Sequence, residues 1–282
     1  MELRTDLALE AREVRGDVRG VLWEEERFPD VTVSRMEIIT ADGARALGKP
    51  TGRYVTVEMS ALTDSAFRPD ERYECVRREL CEMLPPDGDI FIVGLGNGRI
   101  TPDALGPRTA SQIAATRHIA AELKRAAGFA ALRPCCVLSP GVLGQTGIEA
   151  AELIRWLCKD LRPAAVIVID ALASRRTARL GRTVQISDAG ISPGSGVGND
   201  RPEISRRTLG VPVISMGVPT VVEAGVLARD ISGIDKKPDG EKLIVTPREI
   251  DLLIDRASRL LALSINSALH PDIDPVELLS LT

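Results

Sequence analysis

The stretch AAVIVIDAL, residues 164–172, is the most strand-like run in the chain, and it indicates the fold around it. Residues 166–169 are β-branched and apolar without interruption, a pattern typical of a strand covered on both faces. Apolar runs at 89–96, 135–140 and 211–219 have a similar character. Helical patterns lie between these runs, and this alternation predicts an α/β fold with a largely parallel central sheet and helices on both faces.

The segments between and around these strands carry helical patterns. Helices are predicted at 68–84, 107–128, 146–161, 220–231 and 247–268. The segment 107–128 has proline in its first turn and glycine at its end, as a long helix would. Thr146 and Glu149 have the spacing of a capping box. Pro247 directly follows Thr246 and predicts the start of the last helix, with the proline in its first turn.

The N-terminal part of the chain differs from this alternating centre. Residues 7–27 are rich in charge, with apolar residues near helical spacing, and predict a surface helix. The runs 31–39 and 53–60 alternate as strands do, with a glycine-containing turn between them. They predict a hairpin at the edge of the sheet.

Composition excludes several classes of function. Of the 282 residues, 44% are hydrophobic and 27% are charged, and the net charge of −4 gives no electrostatic footprint for nucleic acid or an anionic membrane. The five cysteines include no CxxC pair, which favours reduced thiols. The charged N-terminus does not resemble a signal peptide, and no apolar run approaches the roughly 20 residues that span a bilayer. We therefore expect a cytoplasmic protein.

Three acids follow predicted strands, where open α/β sheets bind their ligands. They are Asp103, Asp170 and Asp188. Asp170 directly follows four apolar strand residues, and a carboxylate there is costly unless it is solvated, paired or used. A helix N-cap or a buried hydrogen-bond acceptor remains the structural alternative for each acid.

The glycine loops and the other reactive side chains support fewer kinds of chemistry. GLGNG at 94–98 is not a dinucleotide fingerprint, and GSGVGN at 194–199 lacks the lysine of a P-loop. We expect both loops to allow close approach of backbone to backbone or to a peptide. Asp103, Asp170 and His118 are conceivable metal ligands, without local ligand spacing to support them. Two carboxylates that share a proton remain, and they predict hydrolysis by general acid–base catalysis.

Several long blocks of the sequence, in order between about residues 4 and 270, resemble the germination protease family of spore-forming bacteria. The blocks include RTDLALEAREV, IVGLGNGRITPDALGP, SPGVLGQTGIEAAELI, VIVIDALASR and QISDAGISPGSGVGN. The resemblance implies an endopeptidase that initiates degradation of small acid-soluble spore proteins during germination. It also implies a fold similar to that of the hydrogenase maturation endopeptidases.

The resemblance implies roles for particular residues. It assigns the catalytic aspartates to Asp103 and Asp170. Substrate-binding or supporting roles are expected for Glu58, Asn97, His118, Arg175 and Asp188. Arg99, Arg108, Arg175 and Arg176 are candidates to read the acidic residue before the bond that is cut, and surface ion pairing is the favoured alternative for them.

The family is made as a self-processing zymogen, which implies a division of this chain. Residues 1–6 would be a pro-segment and residues 7–282 a single α/β peptidase domain, with self-cleavage between Asp6 and Leu7. The resemblance also implies a homotetramer located in the forespore and spore core. No cofactor is expected, and the use of a divalent metal stays open.

Two other readings of the sequence remain open. In one, the chain is a maturation-type peptidase whose acids at 103 and 170 hold a metal. In the other, it is a non-catalytic module whose glycine loops bind a peptide or a nucleotide.

Overall fold

Nine strands in the described part of the chain form one sheet in this computed structural model, which describes residues 5–64, 69–120, 132–198, 201–232 and 243–275 together with residues 122 and 277. The strands are β1 (Val21–Arg27), β2 (Val31–Ile38), β3 (Gly52–Met59), β4 (Ile90–Gly94), β5 (Cys135–Leu138), β6 (Ala165–Ser174), β7 (Thr183–Ser187), β8 (Val213–Glu223) and β9 (Ile244–Val245). The run at 164–172 is thus a strand, as predicted, and it lies inside the sheet.

The sheet is mixed. Its order is β1-β2-β3-β7-β8-β6-β4-β5, and β9 pairs with β8. The strands β8, β6, β4 and β5 are parallel neighbours, whereas all other pairs are antiparallel. The prediction of a largely parallel sheet is therefore wrong for half of the sheet. The eight residues 175–182 between β6 and β7 are too few for the crossover that parallel strands need, which is a dozen or more residues.

Helices cover both faces of the sheet, as predicted. They are α1 (Ala8–Arg15), α2 (Ala41–Leu47), α3 (Glu71–Met83), α4 (Leu105–Ala110), α5 (Leu143–Thr146), α6 (Ala150–Leu161), α7 (Arg206–Leu209), α8 (Ala224–Ser232) and α9 (Ile250–Leu269). Alternate residues of β6 point to opposite faces. Ile167 packs in the core with α3 and α9, and Val166 and Val168 pack in the core with α6. The β-branched run of β6 is apolar throughout because both faces are buried.

The N-terminal part is organised differently from the prediction. The prediction of one helix over residues 7–27 is wrong, because α1 ends at Arg15 and residues 21–27 form β1, the outermost strand. The antiparallel pair of β2 and β3 is confirmed, although α2 lies in the connection between them. The edge of the sheet is therefore a β1–β2 hairpin followed by β3.

The long helix predicted at 107–128 is also wrong where the chain is described. Helix α4 ends at Ala110, and the residues that follow form turns; residues 121 and 123–131 lie outside the described residues. Asn266 of α9 holds this segment, since its amide accepts from the Ala114 N–H at 3.0 Å and donates to the Gln112 carbonyl at 2.9 Å. Hydrogen bonds to another helix thus replace those that would continue α4.

Two helix starts differ from the sequence signals. Thr146 ends α5 instead of capping the next helix, and α6 begins at Ala150 after Glu149. The last helix, α9, begins at Ile250, three residues after the proline expected in its first turn. Among the described residues, no helix combines the length and hydropathy needed to cross a bilayer.

Candidate active site

Asp170 lies beside the end of a neighbouring strand. The parallel strand β4 ends at Gly94, whose partner in β6 is Ile169, so Asp170 is the first residue of β6 beyond that end. β6 itself continues to Ser174, which corrects the expectation that Asp170 ends its strand. The Asp170 side chain is buried, and its Oδ1 accepts from the Ala171 N–H at 2.9 Å. The residue therefore sits at the carboxyl-end crevice that was predicted for it.

The GLGNG loop after β4 wraps around Asp103. Gly96 has φ +110°, and a Cβ on it would lie 2.1 Å from the Asp103 carbonyl oxygen. The N–H of Asn97 donates to Asp103 Oδ2 at 2.7 Å. The expectation that this loop allows close approach of backbone to backbone is confirmed. Asn97 acts here through its backbone, while its side-chain oxygen accepts from Gln145 Nε2 at 2.9 Å.

Two further contacts fix the position of Asp103 against the sheet. A Cβ on Gly106 of α4 would lie 2.2 Å from the Leu95 carbonyl oxygen, so α4 packs directly against the chain leaving β4. The hydroxyl of Thr220 in β8 donates to the Pro102 carbonyl at 2.8 Å. The short 3₁₀ turn Thr101–Asp103 is therefore held to β8 through its middle residue, and the helix that follows it is packed on the chain leaving β4.

Asp103 and Asp170 line one cavity of about 540 Å³. Asp6 and Asn97 also line it, and Arg201 contributes a cation that pairs with Glu149 at 3.1 Å. Most of the remaining wall is apolar or backbone, with Leu95, Ile100, Val142, Leu143, Ala171, Pro193, Ile204, Val221 and Ile244 among the lining residues. The structure thus brings together the two acids that were predicted to be catalytic.

Both carboxyl groups have raised pKa values. Burial raises the pKa of Asp103, and the hydrogen bond from the Asn97 N–H partly opposes this shift. Burial also raises the pKa of Asp170 well above its ordinary value, and the negative charges of Asp103 and Asp6 raise it further. Asp170 therefore holds a proton more strongly than an ordinary aspartate does.

The chain around Asp6 is bound to the end of β6 next to this cavity. The Asp6 N–H donates to the Ala173 carbonyl at 2.9 Å, and the Ala173 N–H donates to Asp6 Oδ2 at 2.8 Å. The Ser195 hydroxyl donates to Asp6 Oδ1 at 2.9 Å. Leu7, the next residue, is fully buried. Asp6 thus lies at a wall of the cavity that holds both predicted catalytic acids.

Two polar side chains grip the carbonyl oxygen of Asp6. Lys49 Nζ and Gln185 Nε2 each donate to it at 3.1 Å, and Lys49 Nζ also donates to the Thr5 carbonyl at 2.8 Å. Gln185 Oε1 accepts from the Ala8 N–H at 2.7 Å. Both side chains line a second cavity of about 220 Å³, which shares Asp6 with the first. Sequence reasoning missed Lys49 and Gln185, which belong to no local motif. It singled out the glycine loop that contains Ser195 but assigned no role to the serine.

Four residues that were expected to support the site do not line the larger cavity. His118 is exposed in a turn. Asp188 binds Arg53, accepting from its N–H at 2.7 Å and from its Nε at 2.9 Å. Glu58 pairs with Arg179, and the backbone N–H of Arg175 donates to Glu10 of α1. The arginines at 99, 108 and 176 do not line it either.

Helix α1 is fastened through a buried ionic cluster. Arg179 is 8% exposed and pairs with Glu10 at 3.4 Å, Glu13 at 2.6 Å and Glu58 at 3.0 Å. Glu10 is 1% exposed, and it also accepts from the backbone N–H of Arg175 at 2.6 Å. The Thr5 hydroxyl donates to Glu10 as well. The cluster therefore fixes the chain that follows Asp6.

Metal ligation and thiol chemistry depend on where the His, Cys, Asp and Glu side chains of the described residues lie. The described part of the chain contains no group of three or more His, Cys, Asp or Glu side chains placed to hold a metal ion. The five cysteines are free thiols, and none of them lines the larger cavity. Burial raises the pKa of Cys158 to about 11, so this thiol is poorly suited to act as a nucleophile.

The chain is similar to known proteins over most of its length. A family model described as germination protease matches residues 1–235. The germination protease of Clostridium perfringens (strain ATCC 13124) is 39% identical over 96% of this chain and 96% of its own length. That of Caldanaerobacter subterraneus subsp. tengcongensis is 40% identical over 98% and 97%, and that of Priestia megaterium is 35% identical over 96% and 95%.

A solved structure is also similar. The [NiFe] hydrogenase maturation protease HycI from Thermococcus kodakarensis KOD1 matches with a TM-score of 0.36 and 19% identity, covering 68% of this chain and 98% of that one. In contrast to this structural match, the family model and the matched relatives each cover most of the chain. The chain therefore belongs to the germination protease family and is an endopeptidase.

Proposed function

We propose that Asp103 and Asp170 are the catalytic pair of this endopeptidase. The observation that carries the proposal is their shared cavity at the carboxyl end of β4, where both have raised pKa values. Pairs of carboxyl groups whose surroundings separate their proton affinities are typical of general acid–base catalysis.

The two acids have different roles in this proposal. Asp170 is the more buried, and it carries the proton because burial first, and then the neighbouring charge of Asp103, oppose its ionisation. Asp103 is the base, since the Asn97 N–H stabilises its ionised form. Water gives a proton to Asp103 as its oxygen bonds to the carbonyl carbon of the substrate. Asp170 then gives its proton to the amide nitrogen as the C–N bond breaks, which leaves an acid and an amine.

We further propose that the chain processes itself between Asp6 and Leu7, so that residues 1–6 are a pro-segment and residues 7–282 one peptidase domain. The binding of Asp6 at the cavity wall supports this assignment. Resemblance to the family supports the remaining elements: small acid-soluble spore proteins as substrate, a homotetramer, and location in the forespore and spore core. An unstructured substrate of this kind enters a crevice as an extended strand.

The experiment is cleavage of a small acid-soluble spore protein by the purified full chain, with products and the enzyme's own N-terminus followed by intact mass. We expect Asp103→Asn and Asp170→Asn each to reduce cleavage by at least about 100-fold, the lower range for loss of a general acid or base. Asp42→Asn is the control, because this side chain is 83% exposed on α2.

Two results would change the assignment. Cleavage at the parent rate by either active-site variant, with unfolding unchanged, removes that residue from the pair. Loss of activity in the presence of a chelator, restored by a divalent ion, replaces the proposed mechanism by the metal-dependent one.

A further inference from the structure

The carboxylate of Asp6 rests in a site built to receive it. Its two oxygens accept from different donors, the Ala173 N–H at 2.8 Å and the Ser195 hydroxyl at 2.9 Å. Gly196 forms the floor, since a Cβ at this position would lie 2.4 Å from Asp6 Oδ2. The GSGVGN loop therefore approaches a peptide closely, one of the two uses expected for it from the sequence.

The main chain around Asp6 is held by contacts that any residue at this position would make. The Asp6 N–H and the Ala173 carbonyl are paired at 2.9 Å, as neighbouring strands are. Lys49 and Gln185 donate to the Asp6 carbonyl oxygen, and Gln185 also accepts from the Ala8 N–H. The backbone is thus hydrogen-bonded on both sides of the bond between residues 6 and 7, as an extended peptide is when it binds beside a strand.

The charges around the site require compensation for a bound acid. Asp103 and Asp170 line the same cavity as Asp6, and a third carboxylate near them is unfavourable by Coulomb repulsion alone. The two donors to the carboxylate offset this repulsion. An apolar residue would leave the Ala173 N–H without an acceptor, and such unpaired groups are what give polar sites their strong discrimination.

We propose that Ser195, Gly196 and the Ala173 N–H form the subsite that selects an acidic residue on the amino side of the cleaved bond, with Lys49 and Gln185 binding that residue's carbonyl oxygen. Asp6 occupies this subsite in the intact chain. The proposal rests on the proposed function and identifies the groups that would read the substrate. It replaces the arginines at 99, 108, 175 and 176 in that role, since none of them lines either cavity.

The test is binding of two fluorescein-labelled peptides with the sequence of residues 4–9, RTDLAL, and its amide counterpart RTNLAL. The host is the full chain carrying Asp170→Asn, which prevents cleavage, with or without Asp6→Lys. A lysine side chain cannot accept from the Ala173 N–H, so the second substitution frees the groups that bind the carboxylate. The peptide then competes only with the main-chain contacts of residue 6, and this variant is called the emptied host. We expect Asp6→Lys to strengthen binding of RTDLAL by about tenfold or more, the affinity that a hydrogen bond to a charged group contributes. RTNLAL should bind the same variant much more weakly than RTDLAL does.

Two further variants in the emptied host assign the donors. Ser195→Ala should weaken RTDLAL about tenfold and RTNLAL little, because it removes a donor to the carboxylate. Lys49→Met should weaken both peptides alike, because its contact is to the carbonyl oxygen. Circular dichroism melting verifies that each host is folded, and Ser195→Gly provides a second removal of the hydroxyl should the alanine variant not fold.

Equal affinity for the two peptides in the emptied host, or no gain on emptying it, would overturn the subsite. The proposed function fails by a different result, namely cleavage that survives Asp170→Asn. Because the peptide measurement requires no turnover, the two failures are distinguishable.

Discussion

The substitution Gly96→Ala tests how the glycine loop positions Asp103. An alanine there adopts φ +110° and brings its Cβ to 2.1 Å from the Asp103 carbonyl oxygen, about 1 Å closer than contact allows. Backbone strain of about 1–2 kcal/mol and overpacking of about 1–3 kcal/mol together predict a loss of roughly 2–5 kcal/mol. For a chain of this size that lowers Tm by roughly 4–20 °C.

The effect of Gly96→Ala on activity should exceed its effect on stability. Relief of the overlap moves Asp103 by about 1 Å, and a misplacement of that size can cost about 100-fold in rate. The measurements are peptide cleavage below the unfolding temperature and a thermal melt of the same sample. Gly98→Ala in the same loop is the matched control, since its Cβ would meet Pro107 at an ordinary 3.6 Å. Equal activity of the two variants would refute the argument that Gly96 sets the position of Asp103.

Two predictions concern stability. Burial raises the pKa of folded Asp170, so the folded state binds a proton that the unfolded state has lost, and the free energy of unfolding falls as pH rises above about 4. Asp170→Asn should therefore be more stable than the parent in urea at pH 7, by a margin that shrinks towards pH 4; a constant margin would contradict this. Arg179→Met should cost about 3–5 kcal/mol in urea, because it leaves Glu10 buried without its cation. Arg53→Met, which breaks the more exposed pair with Asp188, should cost less than about 1 kcal/mol, and similar losses in both variants would count against the buried cluster.

The strands of the core were predictable because strands that are buried on both faces consist of apolar residues. β4 and β6 carry apolar runs rich in β-branched residues, and the structure confirms both strands. β1 was mistaken for helix because its sequence VLWEEER lies at the edge, where neither face is fully buried and the alternation is weak. The short α4 was mistaken for a long helix because Asn266, more than 150 residues away, decides where the chain turns.

The site was predictable only in part, for a related reason. Asp103 follows the apolar strand β4, and Asp170 lies in β6 just beyond the end of β4; the topology of an α/β sheet brings such positions to one edge. Lys49 and Gln185 come from separate parts of the chain, and no local pattern marks them, whereas Ser195 lies in a glycine loop that indicated close approach but no role for the serine. They become visible only when the chain at Asp6 is seen lying against β6. Glu58 and Asp188 are charged residues near the expected region that the fold uses in ion pairs.

The edge strand β1 also has a consequence for self-association. An uncovered strand exposes unpaired N–H and C=O groups, to which a second molecule can add its own strand. Glu24, Glu25 and Glu26 stand in succession on β1, so two copies meeting along this edge would bring glutamates against glutamates. At the opposite edge, β5 has only four residues. Both borders of the sheet thus resist the strand addition from which fibrils grow.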